Sequence, residues 1–308
     1  MTRAAAPKIL CCGMAVLDEV FRVERFPTAN AKAQAGAFAC VVGGCAANAA
    51  IAIARLGGGA EISAALGAAA GDEVGDRILA GLSREGVGCC GIVRVAGATS
   101  TISSILVDAS GDRMIVTRCD ERLFAATVDD PWALVAGVDA VLADNWLPDL
   151  VTPICAAARG RGLPVVLDGD APMSEAGELL ALATHIVFSA EALRATTRRD
   201  ELGEALGRLG ATVPGFLAVT DGANDILWLG DGVLQHMPVF SVRAIDTLAA
   251  GDVFHGAFAL ALAEGARERE ALRFAAATAA IKCTRFGGGA AAPDRAEVEV
   301  LLANAGSR

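Results

Sequence analysis

Residues 139–168 read DAVLADNWLPDLVTPICAAARGRGLPVVLD. The runs DAVLAD (139–144) and LPVVLD (163–168) are apolar up to a terminal Asp, with no polar face. Strands of that kind are buried on both sides, as in parallel sheets. Between them, PDLVTPICAAARGRG (148–162) carries apolar residues at helical spacing and ends at Gly. Outward from this unit, KILCCGMAV (8–16), AEISAALG (60–67), HIVFS (185–189) and GFLAVT (215–220) read as further buried strands. AANAAIAIARLG (46–57), EVGDRILAGLSREG (73–86) and DELGEALGRLG (200–210) read as helices, and three more at 251–265, 268–285 and 294–303 close the chain. Such alternation predicts an α/β fold with a mainly parallel central sheet and helices on both faces.

Two segments break the alternation. Residues 18–42 and about 91–118 carry hairpin patterns, the second turning at Asp108-Ala109-Ser110-Gly111-Asp112. They predict a small β-sheet lid inserted into one domain spanning 1–308. Its exposed edge invites a second copy, so a homodimer through the lid is expected.

The 308 residues are 54% hydrophobic, which excludes intrinsic disorder and supports a large core. Net charge is -10, from 26 Lys and Arg against 36 Asp and Glu, with no basic cluster, so nucleic acid is not an expected partner. No stretch of about 18 apolar residues suggests a membrane span. Asp18-Glu19 falls where a signal peptide would need small residues, so a cytoplasmic location is expected. The nine cysteines are scattered without a C-x-x-C pair, as free thiols in a reducing compartment would be.

The sharpest motif is Ile245-Asp246-Thr247-Leu248-Ala249-Ala250-Gly251-Asp252-Val253-Phe254-His255-Gly256-Ala257-Phe258. A strand, VFSVRAI (239–245), is expected to enter a small-residue turn from which a long helix starts. The first amides of a helix lack intrahelical partners and sit at the positive end of its dipole, which suits an anion such as a phosphate. Asp252 at that mouth suits a general base, although Asp also caps helices. The second motif is Val42-Gly43-Gly44-Cys45-Ala46-Ala47-Asn48. Asn48 on an apolar helix face needs hydrogen-bond partners, from the protein or from a small polar ligand. A P-loop G-x-x-x-x-G-K-[ST] and a Rossmann G-x-G-x-x-G after the first strand are both missing from the sequence.

In this order, Gly43-Gly44…Asn48, Gly67…Gly71-Asp72…Gly75, Thr220…Gly222 and Asp246-Thr247…Ala250-Gly251-Asp252, the chain resembles the PfkB/ribokinase family of ATP-dependent sugar and nucleoside kinases. The resemblance implies a ribokinase-like three-layer α/β/α core with a β-sheet lid, and transfer of the ATP γ-phosphate to a primary hydroxyl of a small sugar. It implies Asp252 as base and the amides of Ala249, Ala250 and Gly251 as an anion hole. Asp18, Gly43, Gly44 and Asn48 would hold the sugar. Ser189, Thr220 and Gly222 would lie along the nucleotide, and Gly288 near the adenine. Mg²⁺ would bridge the phosphates, and a monovalent cation such as K⁺ would sit near Asp246. The family's N-x-x-E motif reads Ser189-Ala190-Glu191-Ala192 here, and Asp225 replaces the last Gly of T-x-G-x-x-G.

A narrower similarity, to the bacterial sulfofructose kinase branch, lies in VLAD (141–144), VLDGD (166–170), GDVFHGA (251–257) and KCTR (282–285). It would make Lys32 a contact to an anionic substrate group, yet Trp146 stands where that branch has an arginine. A nucleoside kinase and a sugar-binding regulator without turnover are the alternatives. The first would need a lid aromatic, for which Phe21, Phe26 and Phe38 are available.

Overall fold

The computed structural model describes residues 6–174 and 177–305. In chain order the strands are β1 (Lys8–Cys12), β2 (Val16–Arg22), β3 (Ala37–Gly43), β4 (Gly59–Ser63), β5 (Ala65–Leu66), β6 (Val93–Arg94) and β7 (Ile102–Val107). After these come β8 (Arg113–Arg118), β9 (Ala140–Asp144), β10 (Val165–Gly169), β11 (His185–Ser189), β12 (Phe216–Thr220), β13 (Ile226–Gly230) and β14 (Val233–Met237). The helices are α1 (Cys45–Arg55), α2 (Glu73–Arg84), α3 (Pro131–Leu134), α4 (Pro148–Gly160) and α5 (Glu178–Leu182). They continue with α6 (Ala190–Thr197), α7 (Leu202–Gly210), α8 (Ala250–Ala263), α9 (Glu268–Cys283) and α10 (Arg295–Ala305).

Eight strands form the main sheet in the order β14-β13-β12-β11-β10-β9-β1-β4. All neighbours from β12 to β4 pair parallel. Alternate residues of each strand feed two cores. Ile9, Cys11, Leu142, Val166 and Val187 pack with Ile51 of α1, Phe258 of α8 and Leu272 of α9. Leu10, Cys12, Val141, Leu167 and Ile186 pack on the other face with Ile154 of α4 and Leu206 of α7. This is the expected three-layer α/β/α core, and it explains why the strands read as apolar on both faces.

The end of the sheet differs from the sequence reading. β13 and β14 pair antiparallel beyond β12, and residues 239–245, expected as a strand, form none. Val239, Phe240, Val242 and Ala244 instead line a cavity, so their apolar side chains are spent on its wall and not on a sheet face.

β3, β2, β7 and β8 form a separate four-stranded sheet, the lid. Its second hairpin begins at Ile102, because Val93–Arg94 pairs with Ala65–Leu66 beside the core. The two hairpins join through a parallel β2–β7 pairing. Along β8 every residue is exposed, and Met114, Ile115 and Val116 are among the exposed large apolar side chains. Among the described residues, no helix is long and apolar enough to cross a membrane.

Candidate active site

The parallel strands end on one side of the sheet, where doubly wound folds bind ligands. Asp144 ends β9, Asp168-Gly169 ends β10, Ser189 ends β11 and Thr220 ends β12. The N-terminus of α8 faces the same rim, and α1 lies beside α8.

Ala249, the residue before α8, has φ +62°. A left-handed alanine costs about 1 kcal/mol and persists where surrounding contacts enforce it. No side-chain hydrogen bond caps this helix. Asp252 is therefore not a cap, and its Oδ2 instead accepts from Asn48 Nδ2 at 2.7 Å. Asn48 Oδ1 in turn accepts from Gly289 N at 3.2 Å, so the amide is fully oriented. The Ala250 amide closes a turn onto Thr247 O at 3.2 Å, a long bond that a phosphate oxygen can compete for. Burial raises the Asp252 pKa, while Asn48 pulls it back down.

Asp18, on β2, is buried and pushed up to about 7, first by burial and then by the charge on Asp252. Gly43 has no side chain for want of space, because a Cβ there would lie 1.8 Å from Asp18 Oδ2. Gly44 has φ +89°, and a Cβ would meet Met14 O at 2.7 Å. These glycines let β3 turn into α1 directly beneath Asp18 and aim Asn48 at Asp252.

Three further groups at the rim escaped the sequence reading as site residues. Asp144 accepts from Met14 N at 2.7 Å and Trp146 N at 3.1 Å, and burial pushes it up to about 7. Asp168 is buried, and its Oδ1 has no hydrogen-bond partner. Donor atoms of Asp168, Asp252 and Cys45 lie within 4.8 Å of one another. His255 is a packed imidazole, with Nδ1 at 2.8 Å from Gly251 O and 3.2 Å from Asp168 Oδ2, and Nε2 at 3.0 Å from Val187 O. Burial pushes its pKa down, against the two carbonyls, which favour a protonated ring. The terminal Asp of DAVLAD and LPVVLD was the available signal for Asp144 and Asp168.

On the other side of the 247–251 loop lies a cavity of about 380 Å³. Thr220, Gly222, Thr247, Ala250 and Gly251 line its polar end, and Phe240, Val242, Ala276, Ala279 and Ala280 its apolar end. Thr220 and Gly222, expected along the nucleotide, thus line the polar end of this cavity. Ser189, at the end of β11, caps α6, its hydroxyl accepting from Ala192 N at 3.2 Å. Gly288, expected at the adenine, sits away from this cavity, because the turn at 287–291 folds over Asn48. A Cβ on Gly288 would instead meet Val41 and Leu248.

Asp246 is fully buried, and its carboxylate accepts from Leu248 N at 2.8 Å and Gly287 N at 3.0 Å. Lys282 Nζ lies 3.4 Å from Asp246 Oδ2 and donates to Asp246 O at 2.9 Å. Burial pushes the Lys282 pKa down, and Asp246 pulls it back up. The lid reaches the same loop through Arg113, whose Nη1 donates to Thr247 Oγ1 at 3.0 Å. Lys32 is exposed, on the loop between β2 and β3.

The description "pfkB family carbohydrate kinase" matches residues 6–295. The chain belongs to the pfkB family of carbohydrate kinases. A ribokinase of Bacillus subtilis is 29% identical over 296 residues, covering 96% of this chain and 99% of its own. The crystal structure of a protein from Agrobacterium tumefaciens, assigned provisionally as a ribokinase, is 39% identical with a TM-score of 0.94, covering 98% of this chain and 99% of its own. A Xylella fastidiosa fructokinase solved with bound ATP is 25% identical with a TM-score of 0.78, covering 97% of this chain and 99% of its own. The protein is thus an ATP-dependent sugar kinase of ribokinase-like fold.

Proposed function

We propose that this kinase phosphorylates a primary hydroxyl of a neutral, unphosphorylated sugar, of the ribose or fructose type, using Asp252 as general base. The observation that carries this reading is the 2.7 Å bond from Asn48 to Asp252 at the uncapped start of α8. It holds the carboxylate between the lid and the nucleotide cavity.

In this reading the sugar lies between the lid and α1, against Asp18, Gly43, Gly44 and Asn48. Asp18 and Asn48 orient it so that one hydroxyl meets Asp252 Oδ1. As the oxygen of that sugar hydroxyl attacks the γ-phosphorus, its proton passes to Asp252, the bond from the γ-phosphorus to the bridging oxygen breaks and ADP leaves; burial, which raises the Asp252 pKa, favours the carboxylate taking up the proton. The phosphoryl oxygens meet the amides of Ala249, Ala250 and Gly251 at the positive end of α8. The purine lies against Ala276, Ala279 and Ala280. Lid closure excludes water from the transferring group.

The rim carboxylates suit Mg²⁺, which takes hard oxygen ligands and keeps most of its shell as waters and phosphate oxygens. Asp168, with its unpartnered buried oxygen, and Asp170 beside it would hold the ion, which supplies charge neutralisation for the phosphates. Glu191 is exposed on the first turn of α6, one position ahead of the family's usual acid.

Asp18, Asp144, Asp168 and Asp252 make the sugar side acidic, which argues against a sulfonate or phosphate on the substrate. The exposed apolar stretch of β8 supports two copies meeting through their lids.

The test is ADP release with Mg·ATP against ribose, fructose, fructose 6-phosphate, sulfofructose, 2-keto-3-deoxygluconate and adenosine. Turnover of ribose or fructose is expected. Preference for an anionic sugar refutes the neutral-substrate reading, and preference for adenosine favours the nucleoside kinase, with Phe38 of the lid as the aromatic. D252N should lose about 10²- to 10⁴-fold in kcat at an unchanged thermal midpoint. Retained turnover removes Asp252 as base.

A further inference from the structure

Lys282 is the one lysine or arginine that is buried among the described residues. An unpaired charge there would be costly, so its partners define its role. Its ammonium touches both the carbonyl and the carboxylate of Asp246. The main chain strengthens the same junction: Ile245 N and Asp246 N donate to Cys283 O at 2.8 and 3.2 Å. The last turn of α9 is thereby strapped to the start of the anion loop, and the loop's far end is the left-handed Ala249 that opens α8.

A monovalent cation at Asp246 would need the same oxygens. The carboxylate already accepts from Leu248 N, Gly287 N and the ammonium, and the carbonyl from the ammonium again. These donors leave a K⁺ ion no place at Asp246 without expelling a buried charge. An ammonium and a potassium ion carry the same charge and are similar in size.

We propose that Lys282 is a tethered replacement for a monovalent cation: a positioning residue that fixes Asp246, and through it the anion loop, so that turnover needs no K⁺. This rests on the kinase reading of that loop. Lys282 touches no reacting atom. It acts by keeping the amides at 249–251 where the phosphoryl group must arrive, and loss of such placement costs on the order of a hundredfold in rate.

The experiment compares the full-length wild type, K282A and K282M in KCl, NH4Cl and choline chloride at equal ionic strength, reading thermal midpoint and turnover. The wild type should show the same midpoint and the same kcat in all three salts. K282A leaves a hole lined by the Asp246 oxygens. It should lose about a hundredfold in kcat in choline and regain both midpoint and kcat in K⁺ or NH4⁺. K282M fills the hole with an apolar chain and should respond to neither ion. Activation of the wild type by K⁺ overturns the proposal, as does full turnover of K282A in choline. A K282A response no different from that of K282M also overturns it. Should K282A fail to fold, the wild-type cation response still decides. Failure of the kinase reading would show separately, as a wild type that turns over no sugar in any salt while its midpoint still reports on Lys282.

Discussion

Replacing Asp18 by Asn should flatten the pH dependence of stability of the ligand-free enzyme. Asp18 is 5% exposed and faces the Asp252 charge, and its pKa is pushed from 3.8 to about 7. The unfolded chain releases this proton near 3.8, whereas the folded chain holds it until about 7. Between those values the folded state binds more protons, so stability falls as pH rises and the loss is complete above about pH 7. At 1.36 kcal/mol per unit the rise corresponds to about 4 kcal/mol as a ceiling, and relaxation of the site brings it to about 2–4 kcal/mol. For a chain of this size each kcal/mol moves the midpoint by about 2 °C. Wild type should therefore lose about 4–8 °C more than D18N between pH 4 and pH 8, in scanning fluorimetry without sugar or nucleotide. Asp144, also pushed up to about 7, is present in both proteins and cancels in the comparison. Parallel curves would refute the account, because the carboxyl would then be ionised in the fold at no cost.

N48A removes the bonds to both Asp252 and Gly289 N. It should lower kcat by about 10- to 100-fold with little change in KM for ATP, measured by coupled ADP release. An unchanged kcat would show that Asp252 holds its place without Asn48. Ala276 lines the apolar end of the cavity, so A276L should raise KM for ATP about tenfold or more, equivalent to about 1.4 kcal/mol, and leave KM for sugar unchanged. The opposite pattern would place the sugar, not the purine, in that cavity.

The core strands were legible because burial on both faces leaves continuous apolar runs, as in LPVVLD and HIVFS. β14 was not, since Val233, Leu234, Gln235 and His236 are all exposed and Met237 alone in that strand is buried. A strand half in water at a sheet end lacks the pattern that marks the others. VFSVRAI misled for the opposite reason, because its apolar residues serve a cavity wall. At the site, the loop 246–252 and the pair Gly43-Gly44 could be read because backbone chemistry is local. The meeting of Asn48 with Asp252, 204 positions apart, is set by the packing of α1 on α8 and has no local trace. That the turn holding Gly288 packs its neighbour Gly289 on Asn48 has no local trace either, because no residue type reports which way an irregular turn folds.

Lys282 shows the same limit in sharper form, since lysine is almost never fully buried and sequence reasoning leaves it in solvent. Its position settles a problem of charge that the rim otherwise poses. Four carboxylates, Asp18, Asp144, Asp168 and Asp252, surround the place where a triphosphate must bring further negative charge. The cations and dipoles opposing them are few: the start of α8, Arg113 at Thr247, and Lys282 behind the loop. Arg113 is carried by an exposed strand of the lid sheet and, in the proposed reading, would leave when the lid opens. Lys282 cannot, being 0% exposed and held by the Asp246 carbonyl and carboxylate. In the proposed reading, the buried ion pair of Lys282 with Asp246 keeps the loop shaped for an anion before any nucleotide arrives. A lid-borne charge adds to it only in the closed state. In the proposed reading, that division would let the chain keep an acidic, hydroxyl-binding side and a phosphate-binding side within one short loop of each other.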